Sequence, residues 1–339
     1  MLLYLIHAGF KTYDISYVGE NIGLAYISSN LKKNGFNTRI LDCLAEGWTE
    51  KTLLSEINNN SPDLLLISFY EENSKETLAF IDMIRKSGCK TPVLLGGIYA
   101  TLNTKVVLNE LSDYSNVWCV RGEGEDVTVR FAQEISGGNL FPVIEGVAYR
   151  DKDRIVNDNY INIISDLDNL PFPDRSVMDS LYGKIDTSVY LLSSRGCYGN
   201  CSFCILNVYN SALSKHGENR KWRERSILSV VEELMELAYR YPGAVIKFAD
   251  SNFIGWNPQR ALELAKGLKH KNVNVKFAIE CRANDVKEEI LTALKEVGLV
   301  SVFLGIESGS PSVLMRYKKE ITVEQNQCAI DIIRKLHIG

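Results

Sequence analysis

The sequence predicts an α/β protein built as a doubly wound parallel sheet followed by a partial (β/α) barrel. Two observations carry that reading: short apolar runs alternate with stretches of helical period along nearly the whole chain, and the alternation breaks across residues 138–187 and then resumes with a longer pitch. A third marks where chemistry belongs, because Cys197, Cys201 and Cys204 crowd the end of the first strand of the second half. With 339 residues the chain is long enough for two domains, each with its own core.

In the first half, LLYLIHA (2–8) reads as a buried strand. A helix follows over about 20–34, where Ile22, Ala25, Tyr26, Ser29 and Leu31 keep a helical period and Asn34-Gly35 supplies a C-cap. TRILDC (38–43) is the next strand, with a helix at about 49–59. PDLLLISFY (62–70) opens on proline and stays apolar, as strands buried on both faces do. A helix over 74–87, a strand in TPVLLGG (91–97), a helix near 104–111, a strand in NVWCVRG (116–122) and a helix from Glu125 to Ser136 complete the series. Strand–helix units in such a run require parallel strands, since each crossover helix returns the chain to the same end of the sheet.

Sheets of this kind bind ligands outside the carboxyl ends of their strands. HAGFKTYD, GGIYATL and RGEGED fall at those ends. Gly96 and Gly97, and the Gly122-Glu123-Gly124 turn, permit close backbone approach, and the helix from Glu125 has free amides at its N-terminus. The same glycines also suit tight strand-to-helix turns. No G-x-G-x-x-G follows the first strand, which argues against a nicotinamide site.

Residues 138–187 read as a linker between a domain at 1–137 and another at 188–339: GGNLFPVIEGVAYR with DKDRIV forms a small β hairpin, and LPFPDR (170–175) supplies prolines. Strands at 188–194, 244–249, 273–279 and 300–306 then alternate with helices at 226–240, 258–269, 286–297 and 322–336. In a (β/α) barrel, chemistry gathers at the carboxyl ends of the strands. Four units do not close a barrel, so the sequence predicts truncation after them. Strand 300–306 is then a bare edge open to self-association or a partner chain.

Composition narrows the function. A net charge of −4 and a pI near 5.7 offer no basic field for nucleic acid. No apolar run approaches the ~18 residues of a membrane span. MLLYLIHAGF has neither the basic region nor the cleavage site of a signal peptide, which points to the cytoplasm. Cys43, Cys89, Cys119, Cys281 and Cys328 lie scattered in apolar runs and read as reduced buried thiols.

The stretch LLSSRGCYGNCSFCILN (191–207) is different. A [4Fe–4S] cube has four iron corners, and structural clusters take four thiolates. C-x3-C-x2-C supplies three and leaves one corner free to chelate a substrate, as catalytic zinc keeps a position open. Gly196 and Gly199 let the backbone wrap a cube, and Phe203 offers a ring to a planar ligand. A Cys3His zinc site completed by His216 and plain core cysteines are the competing readings.

This motif, with its aromatic residue before the last cysteine, resembles the radical S-adenosylmethionine (SAM) enzymes. The parallel domain ahead of it is similar to the cobalamin-binding Rossmann-like domain of their B12-dependent branch. GGIYAT, RGEGE, LPFPDR, FADSNF and GIESGS extend the resemblance over nearly the whole chain. It implies that Cys197, Cys201 and Cys204 hold a [4Fe–4S] cluster, that SAM chelates the fourth iron, and that an external electron donor drives cleavage of SAM to a 5′-deoxyadenosyl radical. It implies cobalamin as methyl carrier and methylation of an unactivated carbon or phosphorus centre as the commonest reaction.

The resemblance also implies roles for single residues. Phe203 would contact adenine. Glu307 would lie near the SAM ribose or amino group, or serve as a helix N-terminal carboxylate. Asp250 and Asn252 would bind the SAM ammonium or cap the next helix. Arg282 would pair with the SAM carboxylate or be solvated. Gly96, Gly97, Tyr99, Gly122, Glu123 and Gly124 would line the cobalamin site. Two departures stand out: D-x-H-x-x-G is absent, leaving only His7 near the first strand, and Tyr99 replaces the histidine of GG-x-H-x-T. Lys215, Arg220, Lys221, Arg223 and Arg225 read as a solvated loop. The substrate, a small molecule or a peptide, is not identified. A radical rearrangement, cyclisation or dehydration without cobalamin, and a non-catalytic cluster-binding protein with an unclosed barrel, are the alternatives.

Overall fold

Side-chain alternation decides the first sheet, because consecutive strand residues face opposite layers. Its parallel strands are β1 (Leu2–His7), β2 (Asn37–Asp42), β3 (Leu64–Ser68), β4 (Val93–Gly96) and β5 (Val117–Val120), in the order β2-β1-β3-β4-β5. Tyr4, Ile6, Leu65 and Ile67 enter one core, while Leu3, Leu5, Leu64 and Leu66 enter the other. Each such side chain contributes roughly 1.5–3 kcal/mol on leaving water, which is why β3 is apolar at successive positions. Asn21 and Thr49 accept the N–H groups of Leu24 and Thr52, fixing where the helices Ile22–Lys33 and Glu50–Asn60 begin.

The computed structural model describes residues 1–9, 18–157, 159–184, 187–214 and 222–339. They divide into two units, Met1–Ile164 with Leu170–Thr187, and Ser165–Asn169 with Ser188–Gly339. The hairpin expected in a linker belongs to the first sheet: β6 (Val147–Asp151) pairs antiparallel with β5, and β7 (Arg154–Val156) with β6. Aromatic packing draws it there, since Phe141 lies 5.2 Å from Trp118 and 5.1 Å from Tyr149 between ring centroids.

In the second unit β8 (Thr187–Leu191) leads into a short antiparallel pair, β9 (Ser194–Gly196) and β10 (Trp222–Glu224). The parallel strands β11 (Val245–Phe248), β12 (Lys276–Arg282) and β13 (Leu299–Gly305) follow, neighbouring one another in the order β13-β12-β11-β8. Helices Ile227–Arg240, Pro258–His270, Glu288–Glu296 and Val323–Lys335 alternate with them. Ile246, Phe248, Phe277 and Ile279 form the buried face, with the Phe248 ring 4.7 Å from Phe253 and 5.6 Å from Phe277.

Two expectations need correction. The edge of β13 is not bare along its length, because Gly339 donates to the Val300 carbonyl at 3.0 Å and accepts from the Val302 N–H at 2.9 Å. Cys328 is exposed and Cys89 only partly buried, whereas Cys43, Cys119 and Cys281 are buried. Cys328 lies on the helix whose inward positions are Asn326 and Ala329. Burial pushes the Cys281 thiol up to about 12, so it stays protonated. Among the described residues no helix is long and apolar enough to cross a membrane.

Candidate functional site

The cysteine loop starts from a buried polar anchor. Asp250, just past β11, accepts from the Ser193 N–H at 2.7 Å, the Ser194 hydroxyl at 2.9 Å and the Ser193 hydroxyl. Arg260 donates to the same Ser193, reaching its hydroxyl at 3.1 Å and its carbonyl at 2.9 Å. Burial pushes the Asp250 carboxyl up, against the pull of Ser193 and Arg260. Its oxygens are taken by the chain leaving β8, so it neither caps a helix nor presents itself to a ligand. Arg225 adds a bond to the Leu192 carbonyl at 2.8 Å and an ion pair with Glu233. Arg223 and Arg225 are buried, contrary to the solvated loop expected for them. Lys215, His216, Arg220 and Lys221 lie outside the described residues.

Cys197, Cys201 and Cys204 follow on one loop, with Cys201 buried and the other two half-buried. The Gly199 N–H donates to Cys197 Sγ at 3.4 Å. The Ser202 N–H donates to the Tyr317 carbonyl at 2.9 Å, tying the loop down, and Cys204 leads into the helix Ile205–Ser214. Burial pushes the Cys197 thiol up, while the Gly199 amide and the Arg282 charge pull it down. Among the described residues no three His, Cys, Asp or Glu side chains converge as a single ion requires. A cube distributes its ligands over separate irons, so three thiols spaced along a loop, two of them met by N–H donors, fit it.

Arg282 is buried beneath this loop, which corrects the solvated reading. Its Nη1 donates to Cys201 Sγ at 3.2 Å and its Nη2 to the Lys319 carbonyl. Asn252, fully buried, accepts the Arg282 N–H at 3.4 Å and donates to Asp285 at 2.7 Å. Tyr198 donates to the other Asp285 oxygen at 2.6 Å, and burial together with Asp285 pushes its phenol up to about 12.

Glu307 sits in left-handed backbone at φ +62°, short of the helix that starts at Pro311, so it is not a helix N-terminal carboxylate. It accepts from Lys319 Nζ at 2.8 Å. That ammonium also lies 5.9 Å from the ring centroid of Phe203, which stays 52% exposed and meets Tyr317 edge-on at 5.2 Å. The second unit thus brings Cys201, Asn252 and Arg282 into one bonded network, with Cys197 near enough to feel the Arg282 charge, and adds Tyr198, Asn284, Asp285 and Lys319. CYGNC and RAND held the signal for the first three of these: polar residues directly beside a cysteine and beside a strand-end arginine. Nothing local marks Lys319.

In the first unit the strand order reverses between β1 and β3, and a ligand crevice belongs at that switch point. His7 ends β1 and Asp42 ends β2, with Nδ1 and the carboxylate 3.2 Å apart. Burial disfavours the imidazolium, but the Asp42 hydrogen bond and charge outweigh it and the net is a raised pKa. HAGFKTYD beyond Gly9 falls outside the described residues. Gly96 ends β4, and Gly97 has φ +97° with a Cβ there 2.7 Å from the Phe69 carbonyl. Tyr99 is half-buried, its ring 5.3 Å from Phe69. Gly122 has φ +92°, and a Cβ on it would overlap the Asn162 backbone. Glu123 accepts the Ile164 N–H at 2.6 Å, and Gly124 packs on Ile27. The close approach these glycines allow is therefore, at Gly97, Gly122 and Gly124, to the chain itself.

The radical SAM superfamily model matches residues 191–339 and the B12 binding domain model residues 13–132. An uncharacterised methyltransferase of Pyrococcus horikoshii is 28% identical over 323 residues, covering 95% of this chain and 68% of that protein. The anaerobic magnesium-protoporphyrin IX monomethyl ester cyclase of Cereibacter sphaeroides is 28% identical over 333 residues, covering 93% of this chain and 51% of its own. The structure of the cobalamin-dependent S-adenosylmethionine radical enzyme OxsB, with aqua-cobalamin and S-adenosylmethionine bound, superposes with a TM-score of 0.80 at 21% identity, over 100% of this chain and 48% of that one. That likeness is one of fold. The chain spans about half to two thirds of the length of these relatives. The two models fall in the order in which the sequence places its two domains, and the chain carries a B12 binding domain ahead of a radical SAM superfamily domain.

Proposed function

We propose that this chain is a cobalamin-dependent radical SAM enzyme whose reaction is methylation of an unactivated carbon or phosphorus centre. The observation that carries it is the loop of Cys197, Cys201 and Cys204 with N–H donors at two of its sulfurs, on a chain that also matches the B12 binding domain. When bound, the cluster, SAM and cobalamin supply the electron, the radical precursor and the methyl carrier. The chain's own residues bind and orient. Cys197, Cys201 and Cys204 hold the cluster, the Asp250–Arg260 anchor fixes where their loop begins, and exposed Phe203 offers its face to adenine. The Glu307–Lys319 pair stands beside that ring and is the proposed contact for the amino group or ribose of SAM. His7, Tyr99 and the Gly96-Gly97 and Gly122-Glu123-Gly124 turns mark the crevice of the first unit proposed for the corrinoid.

The methyltransferase relative supports methylation, and the cyclase relative supports a second reading, a radical ring closure or rearrangement. The free thiols fit a reducing cytoplasm, and an external donor supplies the electron. The upper part of the β13 edge, where Phe303 is 69% exposed, is proposed to pair with a second copy of the chain.

Anaerobic reconstitution with iron and sulfide, followed by SAM and dithionite, tests the reading. 5′-Deoxyadenosine should form, and Cys201→Ala should lose the iron while the first unit keeps its fold. A cobalamin-independent yield favours the second reading. Intact SAM on a fully loaded wild-type cluster overturns both, and a Cys201→Ala chain with full iron overturns the ligand assignment.

A further inference from the structure

A buried guanidinium aimed at a thiol is left over once the cluster ligands are named. Arg282 ends β12 and is 5% exposed. Its Nη1 meets Cys201 Sγ at 3.2 Å, its Nη2 the Lys319 carbonyl, and its Nε the Asn284 side-chain oxygen at 3.3 Å. Its guanidinium carbon lies 5.3 Å from the Tyr198 ring centroid. Among the described residues none of its hydrogen bonds goes to a carboxylate. Asp285 feels its charge, but the Asp285 oxygens are occupied by Tyr198 and Asn252. Burying a cation without an ion-paired carboxylate is costly, and the acceptor the site aims at the guanidinium instead is the Cys201 sulfur.

The position is built from several sides. Asn252 receives the Arg282 N–H, and Asn284 joins the guanidinium to the Tyr198 hydroxyl at 2.9 Å. At Gly199 a Cβ would stand 2.6 Å from Nη1, so glycine lets the loop approach the guanidinium in this position.

We infer that Arg282 is a positioning residue that donates to the Cys201 ligand sulfur and so raises the midpoint potential of the bound [4Fe–4S] cluster. The inference rests on the ligand assignment proposed above. Hydrogen bonds to the sulfurs, net charge and burial set the potential of such clusters. Reduction adds one electron to the cube, and a fixed cation at a ligand sulfur stabilises the more negative state. Cys201 receives the guanidinium, whereas Cys197 receives an amide.

The test is a potentiometric titration of the full chain, reconstituted anaerobically and reduced stepwise with dithionite in the presence of mediators, following the electron paramagnetic resonance of the reduced cluster. Wild type, Arg282→Gln and Arg282→Lys are compared, with iron and sulfide per chain measured for each. Both variants should keep their iron. The midpoint should move to lower potential in Arg282→Gln and by less in Arg282→Lys, which retains the cation without the planar fork. An unmoved midpoint in Arg282→Gln at full iron content overturns the inference and leaves the ligand assignment standing. Loss of iron from both variants makes Arg282 an assembly residue and also overturns it. A wild-type chain that shows no [4Fe–4S] signal overturns the assignment on which it rests.

Discussion

Asp250 and Arg260 share Ser193, so Asp250→Ala removes the acceptor of three donors and takes one of two nearby carboxylates from buried Arg260, which keeps Glu224 at 3.5 Å. The expected cost is about 3 kcal/mol, in the range for breaking a buried charged network. It should appear as a lower urea midpoint for the second unit together with less iron retained per chain; an unshifted midpoint would count against the anchor. His7 makes a prediction in pH. Its folded pKa is raised, so the pair's contribution is complete below the ordinary histidine value of about 6.5 and is lost as pH rises through the raised one. Asp42→Asn should move the His7 titration, followed by nuclear magnetic resonance, to lower pH. At this scale the sequence is least informative. CxxxCxxC is legible from its spacing alone, but the partner of Arg282 is a sulfur 81 positions away and that of Asp250 a serine 57 away.

Helices and strands were the most legible elements, because their signal is periodic and local. The apolar run of β3 and the Asn34-Gly35 stop of the first helix stand where the pattern puts them. The hairpin at 147–156 shows the limit: two turn-bounded apolar runs are evident in sequence, but which sheet they join depends on Trp118 and Phe141 meeting Tyr149. RGEGED is another such case. Its glycines are compatible with ligand approach, yet Gly122 is required by the Asn162 backbone lying against it. Gly122→Ala should therefore cost at least about 2 kcal/mol through left-handed strain and overlap. A lowered melting temperature of the first unit reads it, and an unchanged melt would release Gly122 for a ligand role.

For the whole molecule, the edge of β13 predicts association. Gly339 covers Val300 and Val302 while Phe303 stays exposed, so sedimentation should show a concentration-dependent dimer, and a monomer at every concentration removes that proposal. The sequence by itself determined the succession of two parallel-stranded units, the cluster motif and its place at a strand end, since these depend on spacing that any chain segment carries within itself. Only the tertiary structure decided that Arg282 turns to Cys201, that Asp250 is an anchor, that Glu307 pairs with Lys319, and that Cys328 faces outward. Hydrogen bonds and ion pairs act over a few ångströms in space, and which distant residues come that close is fixed by strand register and layer packing rather than by any local pattern.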